Sequence, residues 1–197
     1  VLNGDIFDFK WTTLRCVDTT IAQAVAWLDE LCGAHPQCQV HYVLGNHDAL
    51  EPFVEQARRL DRRHRNLRIH PAWFRMGHNL FMHGDLALDP EARHHPERSL
   101  MASVQKKGRL LNLGYSLLTQ TGGHRCASLF HFKKYLASQI TSYLKRHHQH
   151  TGVTDVYFGH THPPFRNYHY EGIAFHNTGS AIRRLKADFL EFRVPQE

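Results

Sequence analysis

Short apolar runs punctuate this chain, and several of them end in glycine followed by histidine or a carboxylate. Val1–Leu2 reads as the tail of a strand, with Gly4-Asp5-Ile6-Phe7-Asp8 as the loop after it. Thr19 or Thr20 can cap a helix through about Cys32, since Ile21, Val25 and Leu28 recur at helical spacing and Gly33 can stop it. Val40–Leu44 is a second strand, ending in Gly45-Asn46-His47-Asp48. Pro52 suits the first turn of a helix whose apolar face is Phe53, Val54, Ala57 and Leu60. The basic run Arg62-Arg63-His64-Arg65 reads as a solvated connection. Trp73–Met76 and Leu80–Met82 look like a hairpin around Gly77-His78-Asn79, and its second strand delivers His83-Gly84-Asp85.

From about Pro96 to His150 the pattern turns helical. Leu100, Val104, Leu110, Leu111, Leu113, Leu117 and Leu118 predict one or two helices, which Gly122-Gly123 breaks. Leu129, Phe132, Leu136, Ile140 and Leu144 then form a stripe on a further helix, with Lys133, Lys134, Lys145 and Arg146 on its other faces. Residues 96–150 therefore read as a helical insert, or cap, between two site loops. Its stripe either packs on the core or serves as a lid that receives an apolar substrate tail or a membrane surface. Strands return at Val153–Phe158, at Ile173–His176 with Asn177-Thr178-Gly179-Ser180 behind it, and at Ala187–Val194. Strand and helix alternate, with polar residues at the strand ends, so the fold class is α/β with a site at the carboxyl edge of a sheet.

Composition narrows the class. At 197 residues and 42% apolar content the chain can bury a full core, and a single domain spanning 1–197 is the default. No apolar run approaches the roughly 20 residues needed to cross a bilayer. The opening residues do not read as a charged-then-apolar leader. Cys16, Cys32, Cys38 and Cys126 form no CxxC pair and read as reduced thiols of a cytoplasmic protein. A net charge of +6, with eighteen histidines counted neutral, favours anionic partners: phosphorylated substrates, nucleic acid or an acidic lipid surface. The chain starts at what reads as the end of a strand, so an upstream segment is expected.

The loops carry the chemistry. Asp5 and Asp8 are carboxylates, Asn46 offers a carbonyl oxygen, and His83, His160 and His162 offer imidazole nitrogens. Mixed oxygen and nitrogen ligands suit Mn²⁺ first, then Fe, Zn²⁺ or Mg²⁺, and not a thiolate-rich structural zinc site. Two such ions about 3.5–4 Å apart can clamp the attacking and leaving oxygens of a phosphoryl displacement. Lone histidines such as His35, His41, His64, His70, His78, His124, His131, His169 and His176 read as surface or core residues, and His94-His95 and His147-His148-His150 as solvated. Phe7, Phe9 and Trp11 read as core, and Arg166 could hold a phosphate.

Gly4-Asp5-Ile6-Phe7-Asp8, Gly45-Asn46-His47-Asp48, His83 in MHGD and Gly159-His160-Thr161-His162, in that order, resemble the calcineurin-like metallophosphoesterase family. The resemblance implies a layered sandwich of two mixed β-sheets flanked by helices. It implies a dinuclear site in which Asp5 bridges, Asn46, His83 and His160 complete one ion, and His162 serves the other. A metal-bridging hydroxide would be the nucleophile. His47 would touch the phosphate or protonate the leaving group, and Asp8 would orient His47. The family's opening Asp-x-His is absent and is expected upstream of Val1. Without it the chain holds one ion at best, or is a non-catalytic scaffold with a degenerate metal site. The layout is most similar to the UDP-2,3-diacylglucosamine hydrolase group, through GDIFDFKW, MHGD with its helical insert, GHTH-PP and NTGS, but His47 stands where that group has arginine. The expected activity is hydrolysis of a phosphate ester or pyrophosphate bond, and UDP-2,3-diacylglucosamine pyrophosphatase is the narrower alternative. The expected partner is a small phosphorylated substrate, nucleotide-linked lipid included, with peripheral inner-membrane contact through the insert. Nucleic acid is disfavoured, because no motif for reading it is present.

Overall fold

In a computed structural model, the structure describes residues 1–9, 16–88, 132–161 and 164–179. Helix α1 (Val17–Ala34) is capped by Cys16, whose sulfur accepts the Thr19 amide at 3.4 Å, so the helix starts ahead of the expected threonine cap. Thr20 instead turns its hydroxyl back to the Cys16 carbonyl. Gly33 does not stop α1. The chain leaves the helix at His35, where the following Pro36 disfavours helical backbone. Helix α2 (Glu51–Arg63) has proline in its first turn, as expected, and buries Phe53, Ala57 and Leu60. Arg62 and Arg63 belong to its last turn rather than to a connection; there Arg63 and His64 both pair with Asp29 of α1.

Strands β1 (Leu2–Asn3), β2 (Val40–Val43) and β3 (Leu67–His70) form one parallel sheet. A second, mixed sheet contains the hairpin β4 (Trp73–Met76) and β5 (Asn79–Met82), then β6 (Asp155–Phe158), β7 (Phe165–Tyr170) and β8 (Ile173–Asn177), in the order β4-β5-β6-β8-β7. The hairpin falls where the sequence places it. β3 and β7 were not expected; both are short and carry charged or polar residues on their outer positions, so their alternation is hard to read. The expected strand Ala187–Val194, most of the insert, Trp11 and Cys126 lie outside the described residues.

Alternation along the strands builds the α/β sandwich. Tyr42 of β2 and Leu67 of β3 face α1 and α2, in a core with Ile21, Leu28, Phe53 and Leu60. His41 and Val43 point the other way, toward the second sheet. There a near-parallel row of rings starts with His41 on Phe74, centroids 4.2 Å apart, and runs along the inner face of the second sheet through Phe81, Tyr157 and His176 at 4.6–5.0 Å steps. On the far face of the second sheet, Leu80, Met82, Val156, Phe158 and Phe175 pack against helix α3 (Asp85–Leu88) and helix α4 (Phe132–Arg146). The order is helices, sheet, sheet, helices. No helix among the described residues is long and apolar enough to cross a membrane.

Helix α4 is the described end of the expected insert. Its Leu136, Ile140 and Leu144 are buried in the core, while Lys133 and Lys134 are exposed and Lys145 pairs with Glu171. This part of the stripe is therefore a layer of the sandwich and not a lid. We expect Ile140→Ala to cost about 3 kcal/mol in denaturant unfolding. A loss below about 0.5 kcal/mol would mean that α4 lies over the body without being part of its core.

Candidate metal centre

Parallel neighbours bring the site loops to one edge. β1 and β2 are parallel, as are β5 and β6, so the loops that carry Asp5, Asn46, His83 and His160 all leave at strand C-terminal ends. The two sheets meet there. His83 Nδ1 lies 3.1 Å from the Asn3 carbonyl of β1, and the Gly159 amide donates to the His83 carbonyl at 2.9 Å. Gly4 and Gly45 make the approach possible. A Cβ on Gly4 would stand 2.5 Å from His83 Nδ1, and one on Gly45 would stand 2.6 Å from the Asp5 backbone nitrogen. Asp5 and His160 adopt left-handed backbone, with φ of 52° and 61°. That conformation costs non-glycine residues of order 1–3 kcal/mol, and such strain concentrates at functional sites.

Candidate ligand atoms of Asp5, His83 and His160 all lie within 4.8 Å of one another. His160 Nδ1 is 3.1 Å from Asn46 Oδ1, which adds the amide to the group. His83 Nε2 is 2.9 Å from Asp5 Oδ2, and among the described residues this buried nitrogen has no hydrogen-bond partner of regular geometry. Two donors about 2.1 Å from one ion and at right angles stand about 3 Å apart, so both separations fit donors that share a cation. A carbonyl on Nδ1 also turns Nε2 toward Asp5, the usual bracing of a metal-ligating histidine. Behind the His160 loop, fully buried Asn177 donates to the Gly159 carbonyl at 3.3 Å and to the Thr161 hydroxyl at 2.6 Å.

Acidic groups crowd this edge. Burial disfavours charge on Asp5, but the charge of His83 and its contact, with His47 beside it, outweigh burial and hold the carboxyl at about 2. Burial likewise works against charge on the His83 imidazole, and Asp5, with Asp85 and Asp48 behind it, outweighs that and raises it to about 9. Asp48 is pushed up to about 7, chiefly by burial and then by the Asp5 charge, against the Tyr42 and Gly45 donors. Burial raises Asp85 as well, with His83 opposing. Ionising all three carboxyl groups around one imidazole would leave an excess of negative charge in a partly desolvated space, which a cation would relieve.

His47 and Asp8 stand next to this group. The His47 amide donates to Asp5 Oδ1 at 2.8 Å, and His47 Nδ1 lies 3.1 Å from Asp8 Oδ1. Of the sequence-derived site residues, Asp5, Asp8, Asn46, His47, His83 and His160 thus come together. His162 lies outside the described residues, and Arg166 is an exposed residue of β7. Asp48, Asp85 and Asn177 carry no individual signal in the sequence, although they stand in the GNHD, MHGD and NTGS stretches. Half-buried His41 and His70 and buried His176 lie in the inter-sheet layer, apart from the ligand group, and Cys16, Cys32 and Cys38 are free thiols. No family model, curated protein or solved structure matches the chain.

A divalent ion at this group must displace the proton that His83 keeps up to about pH 9, since only the neutral imidazole is a ligand. Asp5, already ionised above about 2, adds no such dependence. Affinity for Mn²⁺ should therefore rise about tenfold per pH unit between pH 6 and 8, read by calorimetric titration. A flat profile would remove His83 from the ligand set.

Proposed function

We propose that this protein is a metal-dependent phosphoesterase that hydrolyses a phosphate ester or pyrophosphate bond. The observation that carries the reading is the meeting of Asp5, Asn46, His83 and His160 at one edge, with the His47–Asp8 pair beside Asp5. These donors form a hard, mixed oxygen and nitrogen set suited to Mn²⁺, Fe, Zn²⁺ or Mg²⁺. In the dinuclear form of the proposal, Asn46, His83 and His160 would hold one ion and His162 the other, with Asp5 contributing to both. Bound divalent ions supply Lewis-acid polarisation of a phosphoryl oxygen and make water acidic enough to act as a nucleophile near neutral pH.

The side chains supply the rest. Asp8 Oδ1 lies 3.1 Å from His47 Nδ1, and a proton held there would fix the tautomer and leave Nε2 as the nitrogen that exchanges a proton with the leaving oxygen. The short hydrogen bond that the His47 backbone amide donates to Asp5 keeps this imidazole in register with the ligand loop. The positive charge of the whole chain, +6, favours an anionic substrate. A nucleotide-linked lipid pyrophosphate belongs to the same reaction class, and the His47 position is where its hydrolases differ in sequence.

Hydrolysis of chromogenic phosphomonoesters and phosphodiesters by the full-length protein tests the reading. Turnover should require Mn²⁺ or a similar ion and vanish on chelation. His160→Ala should lower kcat/KM at least 100-fold without unfolding the chain, and His47→Ala should lower kcat by about 10²–10⁴. Undiminished turnover in metal-free His160→Ala would overturn it.

A further inference from the structure

Asp48 and Tyr42 are completely buried, and no metal-ligand role explains them. Asp48 Oδ2 accepts the Tyr42 hydroxyl at 2.5 Å and the Ile6 amide at 2.9 Å, while Oδ1 accepts the Gly45 amide at 2.7 Å. Ile6 directly follows Asp5, and Gly45 directly precedes Asn46. One carboxylate therefore grips the chain immediately beyond one candidate ligand and immediately before another. We propose that Asp48, held by the Tyr42 hydroxyl, is a positioning residue that sets the separation of the Asp5 and Asn46 loops. The metal consequence rests on the function proposed above; the clamp itself does not.

The chemistry explains why a carboxylate is needed. A serine or asparagine could accept the Gly45 amide alone, which is all that a local turn requires. Here the donors come from three places, and both oxygens must accept. Asparagine at this position would set an NH₂ group against a buried donor. Tyr42 ties the clamp to the body of the fold and not to the loops. Its ring lies in the core beneath α1 and α2, 6.3 Å from the Phe7 ring and 6.0 Å from the Phe53 ring. The tolerance it serves is narrow, because Gly45 already lies within a methyl group of Asp5.

The test uses Tyr42→Phe, which keeps the ring, and Asp48→Asn, in the full-length protein. Amide hydrogen exchange of the metal-free protein should speed up at residues 5–8 and 45–48 by about tenfold in Tyr42→Phe and more in Asp48→Asn. Exchange in β5 and α4, which follows global opening, should stay unchanged in Tyr42→Phe. Mn²⁺ titration should show binding weakened about tenfold in Tyr42→Phe and further in Asp48→Asn. Unchanged exchange in both loops, acceleration spread evenly over the whole chain, or unchanged Mn²⁺ affinity in both variants would each overturn the proposal. If the wild-type protein takes up no Mn²⁺, the metal reading fails, and the exchange measurement alone decides the clamp.

Discussion

His83 joins the two sheets, and its environment is the constraint on which this edge depends. Its Nδ1 meets a carbonyl of the parallel sheet, its own carbonyl meets Gly159 of the mixed sheet, and its Nε2 faces Asp5. A buried ion pair is a poor way to gain stability, because desolvation of both groups offsets most of their attraction. Here the pair is surrounded by further buried acids, which worsens the balance: burial works against charge on Asp48 and Asp85 as well, and the donors to Asp48 only partly oppose it. An apolar residue of similar volume in place of His83 would serve packing as well or better. The arrangement makes physical sense as an edge held ready for positive charge.

The sandwich supplies the stiffness that such an edge needs. Apolar cores lie outside both sheets, beneath α1 and α2 on one side and beneath α3 and α4 on the other. Between the sheets, His41 of β2 stacks on Phe74, the first of a row of rings taken one each from β4, β5, β6 and β8. Close packing of His41 and Val43 against this row, with the His83–Asn3 contact at the edge, sets the height of β5 and β6 relative to β1 and β2. With that height fixed, strained left-handed backbone at Asp5 and His160 can be held in place.

The loops are braced from behind by different means. Asn177 at the end of β8 holds the His160 loop, the Asn3 carbonyl holds His83, and Asp8 holds His47. Asp48 reaches two loops at once. Under the proposed phosphoesterase reading, the site is therefore a set of donors fixed by side chains that never meet substrate. Precision of this kind is what separates a metal-binding edge from a mere surface cluster of histidines and acids.

The residues themselves determined the strand-end motifs, the hairpin of β4 and β5, the amphipathic faces of α2 and α4 and the α/β class, because each is written in local periodicity and in turn residues next to one another. The set Asp5, Asn46, His83 and His160 was legible for the same reason: each ends an apolar run at a glycine or a polar loop. Local pattern could not show the cap at Cys16, where a thiol took the place expected of a threonine, or the strands β3 and β7, whose short polar stretches become strands only by pairing with a neighbour. Nor could it assign α4 to the core in preference to a lid, since a helical stripe looks the same whatever covers it. Asp48 and Asn177 acquired their roles only when distant loops folded against them. Periodicity is a property of neighbours along the chain; the height of one sheet over another, and the hydrogen bonds across it, are set by contacts between residues far apart in sequence.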